Sequence, residues 1–212
     1  MIVRIMSKKK VVIIGVVAVI IVWMLYDGCA GLPTERFKSH EYVDLGLSVK
    51  WATCNVGAEK PEEYGNYYAW GEIRTKSEYT ESNSHTLDNW MVEEIGLGRD
   101  VARKRWGSTW RMPTYVECKE LIDSCTWTWT TVNEVNGYTV TSKKNGRSIF
   151  LPAAGWCEGK ELKDVGDSGN YWSSSPFWVD NTASTDLCFT REGCGIGGDF
   201  RSYGLSIRPV TE

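Results

Sequence analysis

The sequence predicts one exported domain of short strands, one or two helices and long loops, set behind a separate apolar segment. Three observations carry this. The chain holds eleven Trp, ten Tyr and five Phe beside 21 Gly, and rings with that much glycine suit an irregular fold packed on aromatic side chains, which bury large areas at small entropic cost. A capping box opens an amphipathic helix at Thr114. Asn145-Gly146 lies between two runs of strand-forming residues, the strongest short hairpin signal.

The N-terminal segment comes first. Arg4 and Lys8-Lys9-Lys10 precede an apolar run from Val11 to Leu25. Its fifteen residues match the apolar stretch of an export signal and fall short of the ~20 that span a bilayer, although lysine stems reaching to the interface extend that span. Residues 1–28 therefore read as a signal or anchor, an N-terminal hydrophobic helix whose positive flank stays in the cytoplasm while the rest is exported. Gly28-Cys29 resembles a bacterial lipobox and marks Cys29 for lipidation, with a plain membrane anchor as the alternative. Residues 29–40 form a tether, and 41–212 form one domain. Removing residues 1–28 turns a net charge of -3 into 20 basic against 26 acidic side chains, a net of -6. An acidic exported domain disfavours nucleic acid and anionic lipid as partners of that domain.

Within the domain, Glu41 to Trp51 alternates apolar and polar residues on either side of Gly46, as a strand pair or a kinked strand does. Helices are expected at Asp100–Arg105 and around Leu87–Ile95. The best-signalled helix follows Pro113, where Thr114 and Glu117 form the box and Cys118, Leu121, Ile122 and Cys125 recur along one face. Tyr138–Ser142 and Arg147–Leu151 are the arms of the Asn-Gly hairpin. Further strands are expected at Tyr171–Ser174, Ala183–Thr190 and Gly204–Val210, within a glycine-rich stretch.

Chemistry is sparsely signalled. His40 and His85 are the only histidines, which leaves little room for a His-based metal cage or hydrolase triad. Beyond Cys29 six cysteines remain, an even number that permits disulfides; Cys118 and Cys125 lie about 10 Å apart along one helix, out of reach, whereas Cys188 and Cys194 could cross-link a hairpin. Glu72, Glu117, Asp180 and Asp199 are candidates for a paired-carboxylate site, without a motif that joins any two. No cofactor, metal or catalytic residue is assigned.

Several long motifs run in order across residues 42–210: Tyr42-Val-Asp-Leu-Gly-Leu-Ser-Val-Lys-Trp51, Pro61-Glu-Glu-Tyr-Gly-Asn-Tyr-Tyr-Ala-Trp70, Trp110-Arg-Met-Pro-Thr114, Ile149-Phe-Leu-Pro-Ala-Ala-Gly155, Tyr171-Trp-Ser-Ser-Ser175 and Gly204-Leu-Ser-Ile-Arg-Pro-Val210. Together they resemble the Fibrobacter succinogenes major paralogous domain family. That resemblance implies an exported, often lipid-anchored protein of Bacteroidota or related bacteria. The Trp110–Glu117 block and the closing Gly-x-x-x-Arg-Pro are also similar to the C-type lectin-like and formylglycine-generating superfamily. They imply an α+β, C-type lectin-like fold, in which a small twisted antiparallel sheet carries one or two main helices and long Gly- and aromatic-rich loops. Neither the Glu-Pro-Asn or Gln-Pro-Asp of calcium-dependent sugar binders nor the paired cysteines of formylglycine-generating enzymes is present, so neither activity carries over.

In such folds the loops between Tyr171 and Gly204 form an exposed face. Mixed aromatic, Asn, Ser, Gly and Arg residues suit adaptable binding loops, and Trp178, Asp180, Asn181, Arg191, Asp199, Arg201 and Tyr203 are the expected ligand contacts. All but Glu192 from Val179 to Gly204 are reachable by changing the adenines of an Asn codon, which fits a diversified C-terminal face. The expected function is a membrane-tethered, non-enzymatic module that presents these loops to a protein or glycan outside the cytoplasm. The alternative is a structural component of the envelope or a fimbria.

Overall fold

Strands account for most of the secondary structure in the computed structural model, which describes residues 40–85, 94–107 and 109–212. All of these fall within one unit, Lys38–Glu212. The first sheet is ordered β1-β2-β12-β3, from β1 (Tyr42–Val43), β2 (Lys50–Ala52), β3 (Trp110–Arg111) and β12 (Val210–Thr211). A second runs β4-β5-β6 (Cys125–Val132, Val135–Ser142, Ser148–Pro152), and a two-stranded ribbon pairs β7 (Trp156–Glu158) with β8 (Glu161–Lys163). The last runs β9-β10-β11 (Ser168–Pro176, Ala183–Thr190, Gly193–Phe200). Every strand pairing in these sheets is antiparallel. The helices are α1 (Val101–Trp106) and α2 (Tyr115–Ser124).

This corrects the α+β, lectin-like expectation. In place of one small sheet with main helices and long loops, the described residues form four small antiparallel sheets with two short helices. The largest single difference lies at residues 193–200. Glycine is a poor strand former, so a run with Gly at 193, 195, 197 and 198 reads as loop; a continuous ladder to β10, from Thr190↔Gly193 to Ala183↔Phe200, makes it an eight-residue strand. The reverse error falls at Gly204–Val210, where only Val210 joins a strand, because Pro209 has no N–H and the Arg208 side chain turns inward to the core. The expected N-terminal hydrophobic helix, Cys29 and all of the tether but His40 lie outside the described residues, as do residues 86–93 of the helix expected around Leu87–Ile95. Among the described residues no helix is long and apolar enough to cross a membrane.

Local signals place the remaining elements. Asp100 caps α1, its side chain accepting from Arg103 N at 3.0 Å. Thr114 and Glu117 close the box on α2, with Thr114 N donating to Glu117 Oε2 at 2.8 Å and Glu117 N to Thr114 Oγ1 at 3.3 Å. Thr114→Ala is expected to cost about 1 kcal/mol, read as a lower urea midpoint at unchanged slope; an unmoved midpoint would show that the cap contributes nothing. Asn145-Gly146 turns β5 into β6, with Gly146 at φ +73°. Gly155, at φ +62°, ends the Ile149–Gly155 motif where any Cβ would lie 2.0 Å from Lys163 O, so the β7–β8 ribbon closes only over a glycine.

Two apolar clusters account for the aromatic excess. One gathers Leu45, Val49, Trp51, Cys118, Leu121, Tyr138, Leu151, Tyr171, Leu187 and Phe189 between the β4–β6 sheet, α2 and one face of β9–β11. Its rings meet edge to face, with Trp129 and Tyr138 5.2 Å apart and Tyr138 and Phe189 5.3 Å apart. The other packs Trp70, Trp106, Trp110, Met112, Trp172 and Ile207 beside α1. The cysteines at 54, 118, 125, 157, 188 and 194 are free. Parity explains why the hairpin cross-link fails: Cys188 stands opposite Gly195 and Cys194 opposite Phe189, so the two thiols point to opposite faces of the sheet.

Candidate functional site

The β9–β11 sheet is two-faced because β10 alternates. Leu187 and Phe189 enter the core, and Ser184, Asp186, Cys188 and Thr190 take the other face. The cross-strand partners on that second face are Asp199, Gly197, Gly195 and Gly193 on β11, with Pro176, Trp172, Asn170 and Ser168 on β9. The glycines make room for their neighbours. A Cβ on Gly197 would stand 2.7 Å from Asp186 Oδ1 and 3.1 Å from Cys188 Sγ, whereas Gly193 and Gly195 open onto unoccupied space.

Asn170 ties two acids together. Its Nδ2 donates to Asp199 Oδ2 at 3.2 Å and to Asp186 Oδ2 at 3.5 Å, while its Oδ1 accepts from Ser168 Oγ at 3.2 Å, which fixes the amide orientation. Asp186 is 0% exposed, and its Oδ1 has no hydrogen-bond partner among the described residues. Burial first, and the Asp199 charge second, push its carboxyl up to about 8. Burial also raises Asp199, and it lifts the Cys188 thiol to about 12. Burial and the neighbouring Asp199 charge thus favour the neutral form of Asp186. This pairing is absent from the sequence reading, which considers Asp199 but not Asp186; the alternation of Ser184, Asp186 and Cys188 with Thr185, Leu187 and Phe189 is the signal that shows it.

Beside this face runs a groove of about 580 Å³ lined by Trp156, Asp164, Ser168, Asn170, Thr190, Glu192, Gly193 and Gly195, among others. Its lining carries carboxylates, an amide and hydroxyls over a bare glycine backbone. Trp156 is fixed by its Nε1 donating to Asp164 Oδ2 at 3.1 Å, and its ring meets Tyr203 at 4.7 Å and the Lys163 ammonium at 5.0 Å. Among the described residues no group of three or more His, Cys, Asp or Glu side chains is placed to hold a metal ion.

The expected contact residues do not converge. Trp178, Asp180 and Asn181 lie in the connection from β9 to β10, and Arg191 lies in the turn from β10 to β11. The eight residues of β10 separate those ends by roughly 25 Å. Arg201 lies inside the domain: it is 1% exposed, its Nε donates to Ala183 O at 3.0 Å and Ser184 Oγ at 2.9 Å, and its guanidinium lies 4.5 Å from the Trp70 ring centroid. It supports the loop from beneath. Tyr203 is committed to Trp156 and, through its hydroxyl, to Glu158 Oε1 at 3.1 Å. Asp199 belongs to the acid pair. The other acids considered are committed elsewhere: Glu72 pairs with Lys76 at 2.7 Å and Glu117 with Arg111 at 2.6 Å.

What stands exposed is the tip of the β9–β10 connection. Trp178 is 74% and Val179 87% exposed. The loop beneath them is pinned: Thr182 N and Oγ1 donate to Asp180 Oδ1 at 2.8 and 2.7 Å, and Arg201 N donates to Thr182 O at 2.9 Å. These same bonds hold the Asp180 carboxyl below its ordinary range. Compared with family models, curated proteins and solved structures, the chain matches none.

Proposed function

We propose that this chain is an exported binding module, tethered to the membrane by its N-terminal segment or by lipid at Cys29, that engages a protein or glycan outside the cytoplasm and does no chemistry on it. The exposure of Trp178 and Val179 on a pinned loop is the observation that carries this reading. A large ring left in solvent is what a binding surface presents, and a loop already ordered by its own hydrogen bonds loses little entropy when it is covered. The apolar run behind three lysines supports export and tethering.

The test is binding of the full chain in detergent to glycan arrays and to whole cells. Trp178→Ala is expected to weaken binding about tenfold or more, with an unchanged melting temperature because the ring packs on nothing that folding requires. A Gly193→Arg variant fills the groove at the far end and is expected to bind normally. Full binding by Trp178→Ala, or loss by Gly193→Arg alone, removes the loop tip as the contact surface.

A further inference from the structure

We propose that β11 is a self-association edge, along which a second copy of this chain adds its own β11 antiparallel to form a two-fold dimer through the main chain. In the sheet β11-β10-β9, β11 has a neighbouring strand on one side only among the described residues. The two-residue turn Arg191-Glu192 makes Thr190↔Gly193 a hydrogen-bonded pair, so by alternation Gly193, Gly195 and Gly197 bond inward to β10. The N–H and C=O groups of Cys194, Ile196 and Gly198 then point away from β10. The helix α2 packs against all three strands of this sheet, β11 most of all, and Cys194 and Ile196 pack on the core.

Folded proteins usually guard such an edge with lysine, proline or a bulge. The sequence Gly-Cys-Gly-Ile-Gly-Gly-Asp-Phe has neither lysine nor proline, and its register with β10 is unbroken. The other eight-residue edge differs. β4 starts where α2 ends, with Trp127 Nε1 donating back to Leu121 O at 3.4 Å, so the helix end crowds it.

The strand is also complementary to itself. An antiparallel two-fold centred on Ile196 sets Ile196 opposite its copy and Cys194 opposite the partner's Gly198, exchanging about six main-chain hydrogen bonds. Side chains keep their faces: Cys194 and Ile196 extend the core side of one sheet onto that of the other. On the opposite face Gly195 meets the partner's Gly197 and Asp199 meets the partner's Gly193, so no like charges are opposed within β11. The glycines admit the second backbone closely and cost it no side-chain contact.

The full chain in detergent micelles tests this by sedimentation, with the detergent contribution matched out. The protein mass is expected to rise with concentration toward twice 23.9 kDa, and Ile196→Pro, which removes the central outward N–H, is expected to hold it at the single mass. Wild-type chain that stays single at every concentration, or a dimer that survives Ile196→Pro, overturns the proposal. Amide exchange by NMR decides the matter without a variant. The amides of Cys194, Ile196 and Gly198 are expected to slow about tenfold or more as the protein is concentrated, with Gly195 and Gly197 unchanged. Concentration-independent exchange at those three outward amides equally overturns it.

Discussion

Replacing Arg208 with Met is expected to destabilise the domain by about 3 kcal/mol, read as a lower urea midpoint. Arg208 is 1% exposed, and no carboxylate neutralises it among the described residues. Its guanidinium reaches from the segment before β12 to the end of β2 and the residues that follow it. Nε donates to Asn55 Oδ1 at 2.8 Å, and Nη1 donates to Ala52 O at 3.1 Å and to Thr53 O at 2.8 Å. Burial lowers its basicity, yet the charge is retained because three acceptors surround it. Methionine fills the volume but leaves those acceptors buried without donors, and each uncompensated group costs about 1–3 kcal/mol. Lysine presents a point charge where a planar fork is needed, so Arg208→Lys is expected to recover less than half of the loss. A Met variant within about 1 kcal/mol of wild type would mean that the chain relaxes or admits water to satisfy these groups.

The acid pair gives the second large effect, and it depends on pH. Asp186 has its folded-state carboxyl raised from the ordinary 3.8 to about 8, so the folded chain binds a proton that the unfolded chain releases throughout that window. The stabilisation is complete below pH 3.8 and is lost as pH rises toward 8, at a limiting slope of about 1.4 kcal/mol per pH unit. Asp186→Asn keeps the shape without the titration. The difference in unfolding free energy between the two proteins is expected to grow in favour of the variant between pH 5 and pH 8 and to level off above, with a total of roughly a few kcal/mol. Asp199→Asn is expected to move the window to lower pH by removing the adjacent charge. Parallel pH profiles for wild type and Asp186→Asn would place the proton elsewhere.

Local interactions were readable before any tertiary contact was known. The capping box at Thr114, the Asn145-Gly146 turn and the strand pair across Gly46 each depend on residues a few positions apart, and each forms. Non-local packing was not readable in the same way. Arg201 reads in the sequence as a ligand contact on an exposed loop because nothing within ten residues shows that Trp70 lies beneath it. Glycine at alternate positions looked like loop because strand identity at β11 comes from β10, not from its own side chains. Of the candidate contacts, Trp178, Asp180 and Asn181 share one loop because they are adjacent in sequence; Arg191 was grouped with them only by a stretch of chain that proved to be a straight strand.

The anchoring of the β9–β10 connection has an evolutionary consequence. Asp180, Thr182 and Arg201 fix the course of the loop from its base, so the side chains at 178, 179 and 181 extend outward without contributing to the core. Those positions can be exchanged without drawing on the stability margin of the domain. The outward surface of this loop can therefore change while the architecture beneath it stays constant.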